Sequence, residues 1–184
     1  PYDSLVAEFM LQQTQVSRVM QKYGSFLKTF PSFHSLTDAS LRDVLREWQG
    51  MGYNRRAVNL KRLAEIVIKD YSGKLPQDSE ALKSLPGVGQ STAGAVMAFA
   101  FNKPAVFIET NIRRVFIHFF FPRKENIHDD DITSLMEQIY SMACPPKSRG
   151  AKVWREWYWA LFDYGSMLGE RERAKNPNRR SAHY

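Results

Sequence analysis

The 184-residue chain has a single cysteine, Cys144. One thiol cannot close a disulfide within the chain, and it cannot supply the ligand set of a multi-cysteine zinc or iron–sulfur site. Long apolar runs are missing too. None approaches the roughly 18 residues that a bilayer-spanning helix needs. The chain begins at Pro1 rather than Met, and no signal-peptide pattern follows. Alternating apolar and polar runs bounded by hairpin turns are absent, so nothing argues for a sheet. No segment repeats. His34, His118 and His128 show no metal-ligand spacing. These absences point to an intracellular chain (cytoplasm, nucleoid or nucleus) with no membrane partner.

What is present is basic charge and helical spacing. Lys and Arg outnumber Asp and Glu by 26 to 19, a formal charge of +7. Such an excess suits a polyanionic partner, although charge alone fits an ordinary soluble protein equally well. Apolar residues make up 43% of the chain, enough for a real core. They recur at three- and four-residue steps: Leu5 and Phe9, capped by Asp3 or Ser4; Val16, Val19, Met20, Tyr23 and Phe26; Leu41, Val44, Leu45 and Trp48; Ala57, Leu60, Ala64, Val67 and Tyr71. Further helices are expected over Thr110 to Phe121, Ile132 to Met142 and Val153 to Met167. The last is apolar on most faces and is expected to be largely buried. Asp129, Asp130 and Asp131 read as an acidic helix start. The polar, basic tail from Gly169 (Arg171, Arg173, Lys175, Arg179, Arg180) is expected at the surface or frayed.

One motif stands out. Leu85-Pro86-Gly87-Val88-Gly89 lies between a short helix and the small-residue stretch from Ser91 to Phe101. Pro86 ends the first helix, because it lacks an N–H and restricts the residue before it. Gly87 and Gly89 permit positive φ and close approach by another backbone. Val88 can plug the gap between the helices. The next helix starts near Gln90-Ser91-Thr92, and its unpaired N–H groups make an anion site that positions a phosphate without reading a base. The plain alternative is a helix corner with two glycines for steric relief.

The run from Leu85 to Ala95 resembles the helix-hairpin-helix of the endonuclease III and MutY superfamily of base-excision DNA glycosylases. Three more blocks agree, in family order. Glu8-Phe9-Met10-Leu11-Gln12-Gln13-Thr14-Gln15-Val16 is similar to the MutY segment that opens on a catalytic Glu. Gly50-Met51-Gly52-Tyr53, followed by Arg55, Arg56, Ala57 and Asn59-Leu60, resembles the minor-groove segment. Ile108-Glu109-Thr110-Asn111-Ile112-Arg113-Arg114-Val115 resembles the segment with the second carboxylate. The resemblance spans about residues 1–168 and implies an all-α, two-lobed helix-hairpin-helix glycosylase fold with a central cleft. It implies one lobe of about residues 30–115, with the hairpin unit near 79–101, and a second of 1–29 plus 116–184.

Hydrolysing an N-glycosidic bond requires a proton for the leaving base and a negative charge facing an oxocarbenium-like sugar. The base must first leave the stack. The resemblance implies Glu8 as the acid, in apolar surroundings that favour its protonated form. It implies Glu109 as the cation-facing carboxylate, although the family usually has Asp there, and Asn111 as its support. Helix capping is the plain alternative for Glu109. Ser91 occupies the place of the Schiff-base lysine of bifunctional members. Serine cannot form an imine, which implies a monofunctional enzyme without lyase chemistry. Gln13 and Tyr53 match residues that wedge into the stack. Arg55, Arg56, Gly87, Val88, Gly89, Ser91 and Thr92 are the other expected DNA contacts. The carbonyls of Lys83, Leu85 and Val88 match a structural Na/K site.

A second departure follows Tyr164-Gly165-Ser166-Met167-Leu168, where many relatives place the first of four cluster cysteines and this chain has Gly169. No [4Fe–4S] cluster and no required cofactor are expected. No counterpart of the separate domain with which MutY relatives read oxidised guanine lies within these residues. The expected function is a monomeric, monofunctional glycosylase acting on double-stranded DNA with a mismatched or damaged base, adenine opposite 8-oxoguanine or guanine in the first instance. A thymine/uracil mismatch glycosylase and a non-catalytic damage-binding module remain as alternatives.

Overall fold

A computed structural model describes residues 1–142, 153–171 and 176–183. The helical spacing becomes α1 (Tyr2–Leu11), α2 (Val16–Thr29), α3 (Phe33–Asp38), α4 (Leu41–Glu47), α5 (Arg55–Tyr71), α6 (Ser79–Lys83), α7 (Gln90–Phe101), α8 (Thr110–Phe120), α9 (Asp129–Met142) and α10 (Val153–Arg171), with a 3-10 turn at Pro177–Arg180. Among the described residues there is no strand, only an isolated bridge between Ile127 and Ser181. None of these helices is long and apolar enough to cross a membrane. Packing divides the chain into two units, 1–101 and 102–184. The sequence suggested a different grouping, with 1–29 joined to 116–184. The difference arises at α1, which packs on α2, α5 and α7 inside the first unit.

In the first unit, Leu5, Val6, Phe9 and Met10 of α1 and Leu60, Leu63 and Ala64 of α5 are fully buried, and the two helices pack together. Ala93, Gly94, Ala95 and Ala98 of α7 are buried as well, so this small-residue helix sits close to its neighbours. Trp48 is buried edge-on against Phe26, with ring centres 5.7 Å apart. The first turn of α1 corrects an expectation. Neither Asp3 nor Ser4 caps it. The helix starts earlier, at Tyr2, with Pro1 at the cap position and no side-chain cap bond. The buried Tyr2 hydroxyl donates to the Phe30 carbonyl at 2.6 Å, and that anchor holds the early turn. Helix α3 was not foreseen. It depends on a reciprocal Ser32–Ser35 capping box rather than on the usual Glu or Gln.

In the second unit, α8 packs against α10, α9 and the 3-10 turn. A Cβ at Gly165 would overlap the Asn111 main chain, so only glycine fits at that crossing. The tail was expected at the surface or frayed; Arg179, Ala182 and His183 are exposed, but Pro177, Asn178 and Ser181 are buried and the segment packs on α8. Asn178 donates to the Thr110 carbonyl at 3.0 Å, and Arg180 donates to the carbonyls of Ile117 and Phe121. The Ile127 N–H donates to the Arg180 carbonyl, and the Ala182 N–H donates to the Ile127 carbonyl. Arg173 and Lys175, and the Arg171 side chain, lie outside the described residues. Nor is α10 buried on most faces. Trp157, Trp159 and Tyr164 are exposed.

Candidate active site

Two turns and the hairpin converge on one face of the first unit. Helix α1 ends at Leu11, and the chain reverses through Gln12-Gln13-Thr14 with Gln13 at φ +53°. The turn Gly50-Met51-Gly52-Tyr53 leads into α5 with Tyr53 at φ +47°. For residues with a Cβ this left-handed region costs roughly 1–2 kcal/mol, and it persists only where the surroundings impose it. Gln13 is exposed, and Tyr53 keeps 65% of its surface in solvent. A tyrosine held outward in a strained conformation is not serving the core. Between these turns lies a pocket of about 510 Å³, lined by Gln12, Gln13, Tyr53, Arg55, Arg56, Asn59, Gly89 and Thr92.

The hairpin forms the third edge. Gly87 has φ +79°, and a Cβ there would lie 2.9 Å from Phe9 and 3.0 Å from Asn59. Gly89 differs from expectation, because its φ is not positive and a Cβ there would meet nothing. What it contributes is open space at the start of α7. Val88 is buried as a plug, while Gly87, Gly89, Gln90 and Ser91 are exposed. Thr92 faces inward. Its hydroxyl accepts from Gln12 Nε2 at 3.1 Å, and the same amide donates to the Gly87 carbonyl at 3.1 Å. Gln12 therefore ties the end of α1 to the hairpin, a role that sequence spacing did not reveal. Of the expected alkali-ion ligands, the Leu85 carbonyl also accepts the Val88 N–H at 3.2 Å.

The basic cluster after Tyr53 divides into two kinds. Arg55 is exposed and lines the pocket. Arg56 was expected to contact DNA and is only 7% exposed, with its guanidinium turned into the protein. Its Nη1 donates to the carbonyls of Phe9, Met10 and Gln12, and its Nη2 to Thr14 Oγ1 and the carbonyls of Met51 and Gly52. Burial pulls its pKa down, and the nearby Tyr53 opposes that. A side chain committed in this way does not grip a phosphate. Lys61 is likewise engaged, with the carbonyls of Leu36 and Thr37 and with Glu65.

Glu8 sits half-buried on α1, one turn before Gln12, among the buried Leu5, Val6, Phe9 and Met10. Glu109 belongs to the second unit and caps α8. Its Oε1 accepts the N–H groups of Asn111 at 2.6 Å and Ile112 at 2.7 Å. Burial raises its pKa above the ordinary glutamate value. Those two N–H groups, with Arg114 and Arg113, oppose the rise. Asn111 supports the carboxylate through its main chain, while its side-chain oxygen accepts from Arg114 Nη1 at 2.8 Å. Arg114 also reaches the Gly165 carbonyl and Asn176 Oδ1, so it links α8, α10 and the tail. The acidic run starting α9 is engaged too. Asp129 takes a two-pronged bond from Arg113, with both contacts at 2.7 Å. Asp131 pairs with Lys124 and accepts the His128 N–H.

The match to known proteins follows this geometry. Residues 6–142 match the HhH-GPD superfamily base excision DNA repair protein family. This chain belongs to the HhH-GPD superfamily. Among curated HhH-GPD relatives, an adenine DNA glycosylase of Buchnera aphidicola subsp. Baizongia pistaciae is 40% identical over 168 residues. That alignment covers 91% of this chain and 46% of the relative. A thymine/uracil-DNA glycosylase of Methanothermobacter thermautotrophicus is 34% identical over 129 residues, covering 70% of this chain and 58% of the relative. The chain thus spans about half the length of these curated relatives. Among solved structures, a thermostable thymine-DNA glycosylase superposes with a TM-score of 0.69 at 27% identity, over 93% of this chain and 74% of that one. The expected all-α glycosylase fold is therefore present.

The chain has one cysteine. Among the described residues no group of three or more His, Cys, Asp or Glu side chains could hold a metal.

Proposed function

We propose that this chain is the catalytic part of a monofunctional DNA glycosylase. It excises a base flipped out of double-stranded DNA, in the first instance adenine opposite 8-oxoguanine or guanine. One observation carries the reading: two strained, outward side chains, Gln13 and Tyr53, flank a pocket beside the hairpin, a few residues from Glu8 in the chain. The hairpin's exposed glycines and the start of α7 take a backbone phosphate. Gln13 and Tyr53 enter the stack as the target base leaves it. The protonated Glu8 carboxyl gives its proton to the leaving base, and the C–N electron pair departs with that base. The Glu109 carboxylate offsets the charge of the sugar cation, and water adds at the anomeric carbon, losing its proton to the Glu8 carboxylate left by the first step. Ser91 carries no amine, so no imine forms and the strand is left uncut.

Exposed Arg55 adds a phosphate contact from the pocket rim. The Lys83, Leu85 and Val88 carbonyls present hard oxygen donors suited to Na or K at the hairpin. The reaction requires no cofactor, and the working unit is a monomer.

The test is single-turnover cleavage of duplexes carrying A:oxoG, A:G, T:G and U:G, scored as abasic product. We expect the adenine duplexes to react and Glu8→Gln to abolish product. Wild-type rates in Glu8→Gln would remove Glu8 from the chemistry. A second reading, a thymine or uracil mismatch enzyme, is favoured by Glu109 in the usual Asp position and by the Methanothermobacter relative. Product only from T:G and U:G would establish it. Tight binding without product on all four would leave a damage-binding module.

A further inference from the structure

The two wedge turns lie about 40 residues apart in the chain, yet one side chain reaches both. Arg56 bonds the carbonyl of Gln12 at 2.6 Å and Thr14 Oγ1 at 2.9 Å, the two residues flanking Gln13. It bonds the carbonyls of Met51 at 2.9 Å and Gly52 at 3.1 Å, immediately before Tyr53. It also takes the carbonyls of Phe9 and Met10, which end α1 without a helical partner. The guanidinium carbon lies 5.4 Å from the centre of the buried Trp48 ring and 5.6 Å from that of the exposed Tyr53 ring. The cation is thus held between two aromatic rings, one fixed in the core and one facing solvent. Its Nε has no hydrogen-bond partner, so both terminal nitrogens are committed to the turns while the third nitrogen goes unused.

We propose that Arg56 is the positioning residue for base extrusion. Its single guanidinium sets the spacing and outward pose of Gln13 and Tyr53 together. This rests on the wedge reading given above. Two separate left-handed turns, each strained, would relax independently without a common anchor. A planar fork bonds carbonyls on two sides at once, whereas an ammonium is a point donor. Charge alone should therefore not substitute for arginine.

The test uses the full chain and a duplex with 2-aminopurine as the target base, whose fluorescence rises on unstacking. Arg56→Lys is compared with Gln13→Ala/Tyr53→Ala and with the triple variant, each first shown to melt cooperatively. We expect Arg56→Lys to lower extrusion and single-turnover rate on the order of tenfold to a hundredfold, as a wedge displaced by about 1 Å would. Bulk duplex affinity, which phosphate contacts dominate, should stay within about twofold. In the triple variant Arg56→Lys should add nothing, because it acts through side chains already removed.

An independent, additive loss would overturn the inference, as would full extrusion in Arg56→Lys. If Arg56→Lys does not fold, Thr14→Val removes one arm of the anchor without touching Arg56. It should lower extrusion about threefold or more, and an unchanged signal would overturn the inference. If instead Gln13→Ala/Tyr53→Ala extrudes like wild type, the wedge reading itself fails. If that variant is inactive and Arg56→Lys is normal, only the Arg56 inference fails.

Discussion

The hairpin and the wedge turns both present left-handed backbone to solvent, by opposite means. At the hairpin, Gly87 takes φ +79° where a Cβ would strike Phe9 and Asn59. The conformation costs little there because the side chain is missing. On the proposed wedge role the Gln13 and Tyr53 side chains are what the site needs, so glycine is not an option and the strain must be imposed from outside. Arg56 imposes it. A phosphate grip can be built from glycine and main chain, whereas a wedge requires a real side chain in an unfavourable pose and a buried anchor behind it.

The largest effect that would break this contrast is Arg56→Met. It removes the charge and all six of these hydrogen bonds, although the Gln12 and Met51 carbonyls keep Thr14 Oγ1 as a donor and the Gly52 carbonyl keeps Trp48 Nε1. Loss of so many buried bonds should cost about 3–5 kcal/mol, on the order of a 10 °C fall in melting midpoint. A midpoint within a degree or two of wild type would show that the turns hold themselves. Gly87→Ala comes next. Strained φ and the Phe9 overlap together should cost about 1–3 kcal/mol by urea unfolding. A neutral result would mean that Phe9 yields freely.

Smaller, and of opposite sign, is Gln13→Gly. It relieves a left-handed residue with an exposed side chain and should stabilise the fold by about 0.5–1 kcal/mol while extrusion falls. A loss of stability would show that the Gln13 side chain contributes to folding after all. The smallest effect is a control in the second unit. The Arg113 fork holds the Asp129 pKa below its ordinary 3.8. A lowered carboxyl pKa stabilises above the unfolded value, and that contribution is lost as pH falls through the folded one. Asp129→Asn should therefore flatten the acid limb of the unfolding curve without changing extrusion. An unchanged acid limb would mean that the pair contributes nothing.

The fold was largely legible. Apolar spacing located α1, α2, α4, α5 and α8 to α10, and a run of small apolar residues located α7, which is buried nearly all round. It missed α3, whose cap is an unusual serine pair. It did not foresee the tail's packing, because bonds from Asn178 and Arg180 to α8 leave no periodic trace. At the site, the motifs singled out Gln13, Tyr53 and Glu8, while Arg55 and Arg56 looked alike. Adjacent arginines entering a helix point about 100° apart, and only packing decides which one turns inward. Glu109 was legible as both cap and carboxylate. The structure shows the cap, and the rise in its pKa has its cause in burial that no spacing reports.

The tail strapped along α8 has a consequence for biosynthesis. The first unit has its full complement of helices once residue 101 has emerged, and it can fold while translation continues. The second cannot. Thr110, Ile117 and Phe121 wait for partners at Asn178 and Arg180, which are made about 60 residues later. The nascent chain therefore holds a finished hairpin and both left-handed turns well before α8, with Glu109 at its cap, is secured. A ribosome stalled in between would expose the hairpin and the two left-handed turns while the second unit is still unsecured.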